Sequence, residues 1–247
     1  MKTLGIVGRV VGGVMEAARS QFPKVVRIET TNHCNAACSF CPRESIGRKK
    51  TFMDQTLFEK VIGECVDGGC RMIHMHNFGE PLLDKRLPER IRYAKDQGIP
   101  KVKLFSNGAL LHGKMAEDLL ESGLDEIKIS VDGSDAEEFN LIRIGLQHDQ
   151  VVENVRQFMK LRKERGHGPA IVAACTTTSD ERKTKDMLKG LVDGIDFARV
   201  HNWAGARNIL GNFSMRKPCD RPFRTMTVLV NGDIALCCLD HSGREIL

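Results

Sequence analysis

Apolar residues along this chain recur in two alternating patterns. Short β-branched runs of strand length are separated by stretches in which apolar positions return every three or four residues. The predicted strands are Val25–Thr30, Met72–His76, Lys101–Phe105, Glu126–Val131, Ala170–Thr176 and Phe197–His201. Between them, Leu57, Val61, Ile62, Cys65 and Val66 share one face of a helix over Thr56–Val66. Val151, Val152, Val155, Phe158, Met159 and Arg162 do the same over Val151–Arg165. An N-terminal helix is expected around Val10–Ser20. Strands separated by helices imply right-handed crossovers and parallel pairing. About six such units are too few for a closed eight-stranded barrel. The expected fold is therefore α/β, a partial (β/α)6 TIM-like barrel left open. Chemistry in such barrels sits at the carboxyl ends of the strands, where this chain keeps its Gly, Pro, Asn, Asp and Cys residues.

The pattern changes after about Lys217. In "TMTVLVNGDIALCC", Thr225–Cys238, two strand-like runs flank Asn231-Gly232, the signature of a tight type I′ hairpin. The expected layout is an N-terminal segment at 1–24, the barrel at 25–214, and a small β-hairpin-containing auxiliary module at 215–247.

Composition narrows the function classes. The net charge of +5 is spread along the 247 residues rather than gathered in a basic arm, which gives nucleic-acid binding no support. The apolar stretch Leu4–Met15 is glycine-rich, too short to span a bilayer, and lacks a small-residue cleavage site. We read the protein as cytoplasmic, without membrane partners. Nine cysteines in a reducing compartment point to metal or redox chemistry rather than to disulfides.

Three of them form the sharpest motif. "TTNHCNAACSFCPR" follows the first strand and places Cys34, Cys38 and Cys41 in a C-x3-C-x2-C spacing. Structural zinc takes four ligands, usually in two separated pairs, and His33 points away from a thiolate cup. Three soft thiolates on one short loop suit an iron-sulfur cubane, leaving its fourth iron open to a substrate.

This loop, with Phe40 before the third cysteine, resembles that of the radical S-adenosylmethionine (SAM) superfamily. "NFGEP" (Asn77–Pro81), "SNG" (Ser106–Gly108) and "ISVDG" (Ile129–Gly133) resemble the family's motifs after the second, third and fourth strands. The resemblance covers roughly residues 25–205. It implies a 4Fe-4S cluster on Cys34, Cys38 and Cys41, chelation of SAM by the open iron, and reductive cleavage to a 5′-deoxyadenosyl radical that abstracts hydrogen from a substrate. Gly79, Glu80 and Pro81 would meet the methionine ammonium, Ser130 and Asp132 the ribose, and Phe40 the adenine. Ser106 and Asn107 are either cofactor contacts or turn formers. An electron donor such as flavodoxin or ferredoxin is implied as a partner.

The tail carries Cys219, Gly232, Cys237 and Cys238 in a C-x12-G-x4-C arrangement that resembles the opening of SPASM or twitch modules, which hold auxiliary iron-sulfur clusters. Cys219 and Cys237 are the candidate ligands, joined by Cys238 where it turns inward. No further cysteine follows before Leu247, so we expect a fragment of a longer chain. Ligands from elsewhere and the absence of a second cluster remain the alternatives.

Cys65 is expected to be a small core residue, and Cys175 either core or active-site facing. His201, Asn202 and Trp203, at the end of the sixth strand, are candidates for the substrate pocket, Trp203 alternatively closing the barrel. Arg143 and Asp240 are further candidates, for substrate binding and proton removal. His74 and His76 share one strand face and receive no metal. The leading expectation is an oxidoreductase acting on a small polar molecule. The alternatives are a maturase of peptide or protein side chains, and a non-catalytic iron-sulfur or zinc protein.

Overall fold

The alternation of apolar and polar positions becomes a sheet with two unlike faces. In the computed structural model, which describes residues 22–203 and 219–247, eight strands form one sheet: β1 (Val25–Ile28), β2 (Met72–His74), β3 (Lys101–Ser106), β4 (Glu126–Ser130), β5 (Ala170–Cys175), β6 (Gly194–Phe197), β7 (Thr225–Val228) and β8 (Ile234–Ala235). Their order is β6-β5-β4-β3-β2-β1-β7-β8, with every neighbouring pair parallel except β7 and β8. The sheet does not close, as expected of a partial barrel. The expected helix over Val10–Ser20 and the boundary at 214/215 lie outside the described residues.

Val26, Ile28, Ile73, Val102, Leu104, Ile127, Ile129 and Ile171 point outward and are wholly buried. They join one apolar cluster with residues of the surrounding helices, among them Phe58 and Ile62 of α1 (Gln55–Asp67), Ile91 of α2 (Leu87–Asp96), Leu119 of α3 (Gly113–Leu120), Phe139 of α4 (Ala136–Ile142), Phe158 of α5 (His148–Arg165) and Leu188 of α6 (Glu181–Leu188). Short polar side chains start several of these helices. Asp54 accepts from Leu57 N–H at 3.2 Å, and Asp135 from Glu138 N–H at 2.9 Å. Gly166, at φ 75°, ends α5 in the left-handed conformation that glycine adopts without a Cβ penalty.

Two sequence expectations shift by a few residues. The sixth strand is Gly194–Phe197 rather than Phe197–His201. The Asp193 carboxylate accepts the Ile171 N–H at 2.7 Å and pairs with Arg162, so strand pairing starts immediately after it, with Gly194 opposite Val172. The turn at Asn231-Gly232 is not type I′, because among these two residues only Gly232 has positive φ, at 94°. Gly232 N–H donates to Leu229 O at 2.9 Å and Leu229 N–H to Asp233 O at 2.8 Å, the pattern of a type I turn closed by a glycine bulge.

The tail continues the barrel sheet: β7 lies parallel to β1 with Arg27 opposite Thr227. Glu29, just past β1, locks this join. Its fully buried carboxylate takes the Arg48 guanidinium at 2.6 and 2.9 Å and the Val230 N–H at 3.1 Å. Among the described residues no helix is long and apolar enough to cross a membrane.

Candidate functional site

The inner face of the sheet is polar. Arg27, His74, His76, Phe105, Lys128 and Ser130 alternate with the outward core residues and line a cavity of about 470 Å³. The carboxyl-end loops complete it with Cys34, Cys38, Phe40 and Cys41, with Gly79, Glu80 and Asn107, and with His201, Trp203 and Cys238.

The cysteine loop is held by the segment after α4. Ala37 N–H donates to Ile144 O at 2.8 Å and Ser39 N–H to Ile142 O at 2.9 Å. Cys41 N–H turns back to Cys38 O at 3.0 Å. None of the three thiols is in a disulfide, and all are half-buried. Burial pushes the Cys34 thiol up to about 11 and raises that of Cys41.

The loop after β2 is wedged beneath. A Cβ on Gly79 would lie 2.1 Å from Thr31 O, so only glycine fits this crossing. Glu80 N–H donates to His33 O at 2.7 Å. The Glu80 carboxylate accepts from Leu82 N–H at 3.0 Å, Ser106 Oγ at 2.8 Å and Asn107 N–H at 2.7 Å. Burial raises its pKa despite these three donors. Asn107 Nδ2 in turn donates to Asn35 Oδ1 at 2.7 Å, tying the turn after β3 to the cysteine loop.

Arg143 bridges the opposite wall. Nε donates to Asp132 Oδ2 at 2.6 Å, Nη1 reaches Cys38 Sγ at 3.4 Å, and the guanidinium lies 5.2 Å from the Phe40 ring centre. Burial opposes the Arg143 charge, but Asp132 and Cys38 outweigh it and raise its pKa.

Several predicted residues stand behind the cavity wall instead of on it. Asp132 is fully buried, and its second oxygen takes the Thr176 and Thr177 N–H groups at 2.6 and 2.8 Å. With both oxygens engaged by Arg143 and the backbone after β5, it does not line the cavity. Ser106 is spent on Glu80, and Pro81 opens a buried 3-10 turn. Asp240 folds into the tail, accepting Glu245 N–H at 2.9 Å, and does not line the cavity. Proton removal is therefore not assigned to it.

His201 lines the cavity, edge-on to Trp203 at 6.0 Å. Trp203 has φ 51°, rare for a non-glycine residue, while its Nε1–H donates to Phe40 O at 2.7 Å. Trp203 thus both lines the pocket and closes it against the cysteine loop.

Cys219, Cys237 and Cys238 converge on a second pocket of about 180 Å³ beside His201. Burial raises the Cys238 thiol, but the charges of Arg27 and Arg221 more than offset it and leave its pKa lowered. Cys65 and Cys175 are buried away from the cavity, Cys65 beside Cys70. The sequence reading missed Arg27, Lys128, Arg199 and Arg221, which also line the cavity. A charged Arg27 at the centre of the apolar run Val25–Ile28 was the available signal for one of them.

Residues 28–191 match the family model described as the radical SAM superfamily. The chain belongs to the radical SAM superfamily. A probable GTP 3′,8-cyclase of Methanococcus maripaludis (strain C5) is 31% identical over 138 residues, which is 55% of this chain and 45% of the relative. A tungsten-containing aldehyde ferredoxin oxidoreductase cofactor-modifying protein of Pyrococcus furiosus is 27% identical over 184 residues, 72% of this chain and 51% of the relative. The chain thus spans about half the length of these curated relatives. Among solved structures, Streptococcus suis SuiB bound to precursor peptide SuiA superposes with a TM-score of 0.73 at 17% identity, over 96% of this chain and 64% of that one. BtrN in complex with AdoMet and 2-DOIA superposes with a TM-score of 0.59 at 18% identity, over 92% and 78%. At these identities the likeness to both is one of fold.

The residues present in this radical SAM chain fit the family's cofactors. Three thiols from one loop, none of them in a disulfide, face a shared cavity. Among the described residues no three His, Cys, Asp or Glu side chains converge closely enough for a single metal ion. A donor set of three separated thiols suits a multi-iron cluster better than one zinc.

Proposed function

We propose that the chain is a radical SAM oxidoreductase of the cytoplasm that oxidises a small polar molecule in the barrel cavity. The observation that carries the proposal is the placing of Cys34, Cys38 and Cys41 around one cavity with the Gly79-Glu80 loop, Asn107 and Ser130. When bound, the 4Fe-4S cluster and SAM supply a one-electron cleavage that delivers a 5′-deoxyadenosyl radical as the hydrogen-abstracting agent.

The chain's own residues do the positioning. Gly79 lets the backbone approach the cysteine loop, and Glu80 holds this turn, whose carbonyls would receive the SAM ammonium. Phe40, beside the Arg143 guanidinium, would offer its ring to the adenine. Ser130 offers its hydroxyl to the ribose, with Asp132 fixing the wall behind it. Trp203 and His201 close the rim, excluding water and offering an aromatic face and an imidazole to the substrate. Cys219, Cys237 and Cys238 would hold an auxiliary iron-sulfur cluster that takes the remaining electron of the substrate radical as its proton leaves to solvent, and a flavodoxin or ferredoxin would supply the electron that cleaves SAM.

A cavity of about 470 Å³ is of small-molecule size, which supports such a substrate over a peptide. The relatives named for a GTP reaction point the same way.

The test is anaerobic reconstitution with iron and sulfide, then addition of dithionite and SAM. The expected product is 5′-deoxyadenosine, together with a loss of two hydrogens from a small molecule. Replacing Cys34, Cys38 or Cys41 with Ala leaves two thiols and should abolish both cluster and product. Full iron content and cleavage activity in any of these variants would refute the ligand set. An intact cluster without SAM cleavage would leave a non-catalytic iron-sulfur protein. The same mass loss on a peptide would make the chain a maturase.

A further inference from the structure

The floor of the cavity holds cationic and imidazole groups that the proposed SAM site does not use. Arg27 on β1 lies directly opposite His74 on β2, and His76 follows two residues later on the same face. The two imidazoles are 5.4 Å apart. Arg27 Nε, His74 Nδ1 and His76 Nδ1 are all buried without a hydrogen-bond partner among the described residues. His74 Nε2 lies 3.0 Å from the Met72 sulfur, a weak acceptor.

Buried polar nitrogens without partners cost free energy, and native structures usually satisfy them. A neutral imidazole carries a single N–H, so the orphaned nitrogens of His74 and His76 take either role, whereas Arg27 Nε only donates and lacks an acceptor.

The surrounding charges say which kind. Among the described residues no carboxylate pairs with Arg27, whereas Lys103 and Lys128 already have Glu126 and Asp196. Arg199 and Arg221 add two more cations to the wall. Burial, and then the positive charges of Arg27, Lys103 and Lys128, push His74 down to about 4, which marks the floor as a region of positive potential. Arg27 reaches the Cys238 thiol and lowers its pKa, but no carboxylate balances it among the described residues, so a neutral polar ligand would leave the excess of cations on this floor in place. A carboxylate or phosphate group would offset that excess and accept from the guanidinium.

We propose that Arg27, flanked by His74 and His76, anchors an anionic group of the substrate, a carboxylate or a phosphate, at the floor of the cavity. The rest of the substrate would then extend toward the cysteine loop at the opposite end. This deepens the proposed function and rests on the reading of the cavity as a substrate site.

The test measures binding of inorganic phosphate and of succinate to the reconstituted full chain by titration calorimetry. The comparison variants are Arg27→Gln, Arg27→Lys and the surface control Lys60→Gln, each checked for an unchanged circular dichroism spectrum and melting temperature. Saturable binding of at least one anion is expected, weakening with added salt. It should fall about tenfold or more in Arg27→Gln, as for a lost charge-assisted hydrogen bond, recover partly in Arg27→Lys, and persist in Lys60→Gln. Preference between the probes separates a phosphate-bearing substrate from a carboxylate.

Binding unchanged in a folded Arg27→Gln, or no saturable binding of either anion, would overturn the proposal. If Arg27→Gln proves unfolded, Arg27→Lys decides: wild-type affinity for both anions together with wild-type salt dependence excludes a directional role for the guanidinium fork. Formation of 5′-deoxyadenosine by the wild type is scored separately. Cleavage without anion binding overturns only this inference, and anion binding without cleavage overturns only the enzymatic reading.

Discussion

Arg143 Nη1 lies 3.4 Å from Cys38 Sγ while the same guanidinium is paired with the buried Asp132, so one side chain couples the cysteine loop to the end of β4. Removing it strands a buried carboxylate. Arg143→Leu should destabilise the fold by about 3–5 kcal/mol, the usual cost of breaking a buried ion pair. Arg143→Lys keeps the charge but not the fork, and should fall between. Urea unfolding of the three proteins checks both values.

Glu80 holds three donors at once, and the residue is only 2% exposed. Glu80→Ala leaves the Leu82 and Asn107 N–H groups and the Ser106 hydroxyl unsatisfied, so a loss of about 3 kcal/mol or more is expected. Glu80→Gln retains one acceptor oxygen but turns a donor toward donors, and should lose less than Glu80→Ala. A Glu80→Ala protein as stable as wild type in the same denaturant assay would remove Glu80 from its anchoring role.

Gly79 has no room for a methyl group, because the atom in its way is the backbone oxygen of Thr31. Gly79→Ala should cost about 3 kcal/mol through overpacking and push the loop off the cysteine segment. SAM binding, read by equilibrium dialysis of the reconstituted protein, should fall with it. Gly63→Ala, on the open side of α1 with nothing within 4 Å of a new Cβ, serves as the neutral comparison.

Stability should depend on pH through His74. Its folded pKa is depressed from 6.5 to about 4 by burial and by neighbouring cations. Above 6.5 both folded and unfolded forms are neutral and the stability is fully present. Between 6.5 and about 4 only the unfolded chain takes up the proton, so stability falls as pH falls. The slope from this group is at most about 1.4 kcal/mol per pH unit. His74→Gln should flatten the curve of unfolding free energy against pH over that window, and an unchanged slope would contradict the assignment.

Much of the barrel was legible because a strand with one buried face must alternate. Val26, Ile28, Ile73 and Val102 announce their strands by apolar spacing alone, and the cysteine loop announces itself by three thiols in eight residues, Cys34–Cys41. Gly79 and Glu80 were legible as a motif, although the reason for the glycine, a backbone 2.1 Å from its would-be Cβ, was not. The sixth strand misled because "FARVH" alternates as well as "GIDF" does, and only the Asp193 clamp on Ile171 and Arg162 chooses between them.

The sequence by itself determined the local items: the order of strands and helices, the outward core positions, and the spacing of three cysteines on one short loop. Each depends on spacing along the chain, through the two-residue period of a strand or the reach of a short loop. The tertiary structure alone decided that Asp132 faces inward to Arg143 and the Thr176–Thr177 backbone, that Asp240 turns away from the cavity, and that β7 lies beside β1. It also set Arg27 opposite His74, 47 positions apart by their numbers, on a floor without a carboxylate for Arg27 among the described residues. Such pairings are set by sheet register between distant segments, which no local pattern encodes.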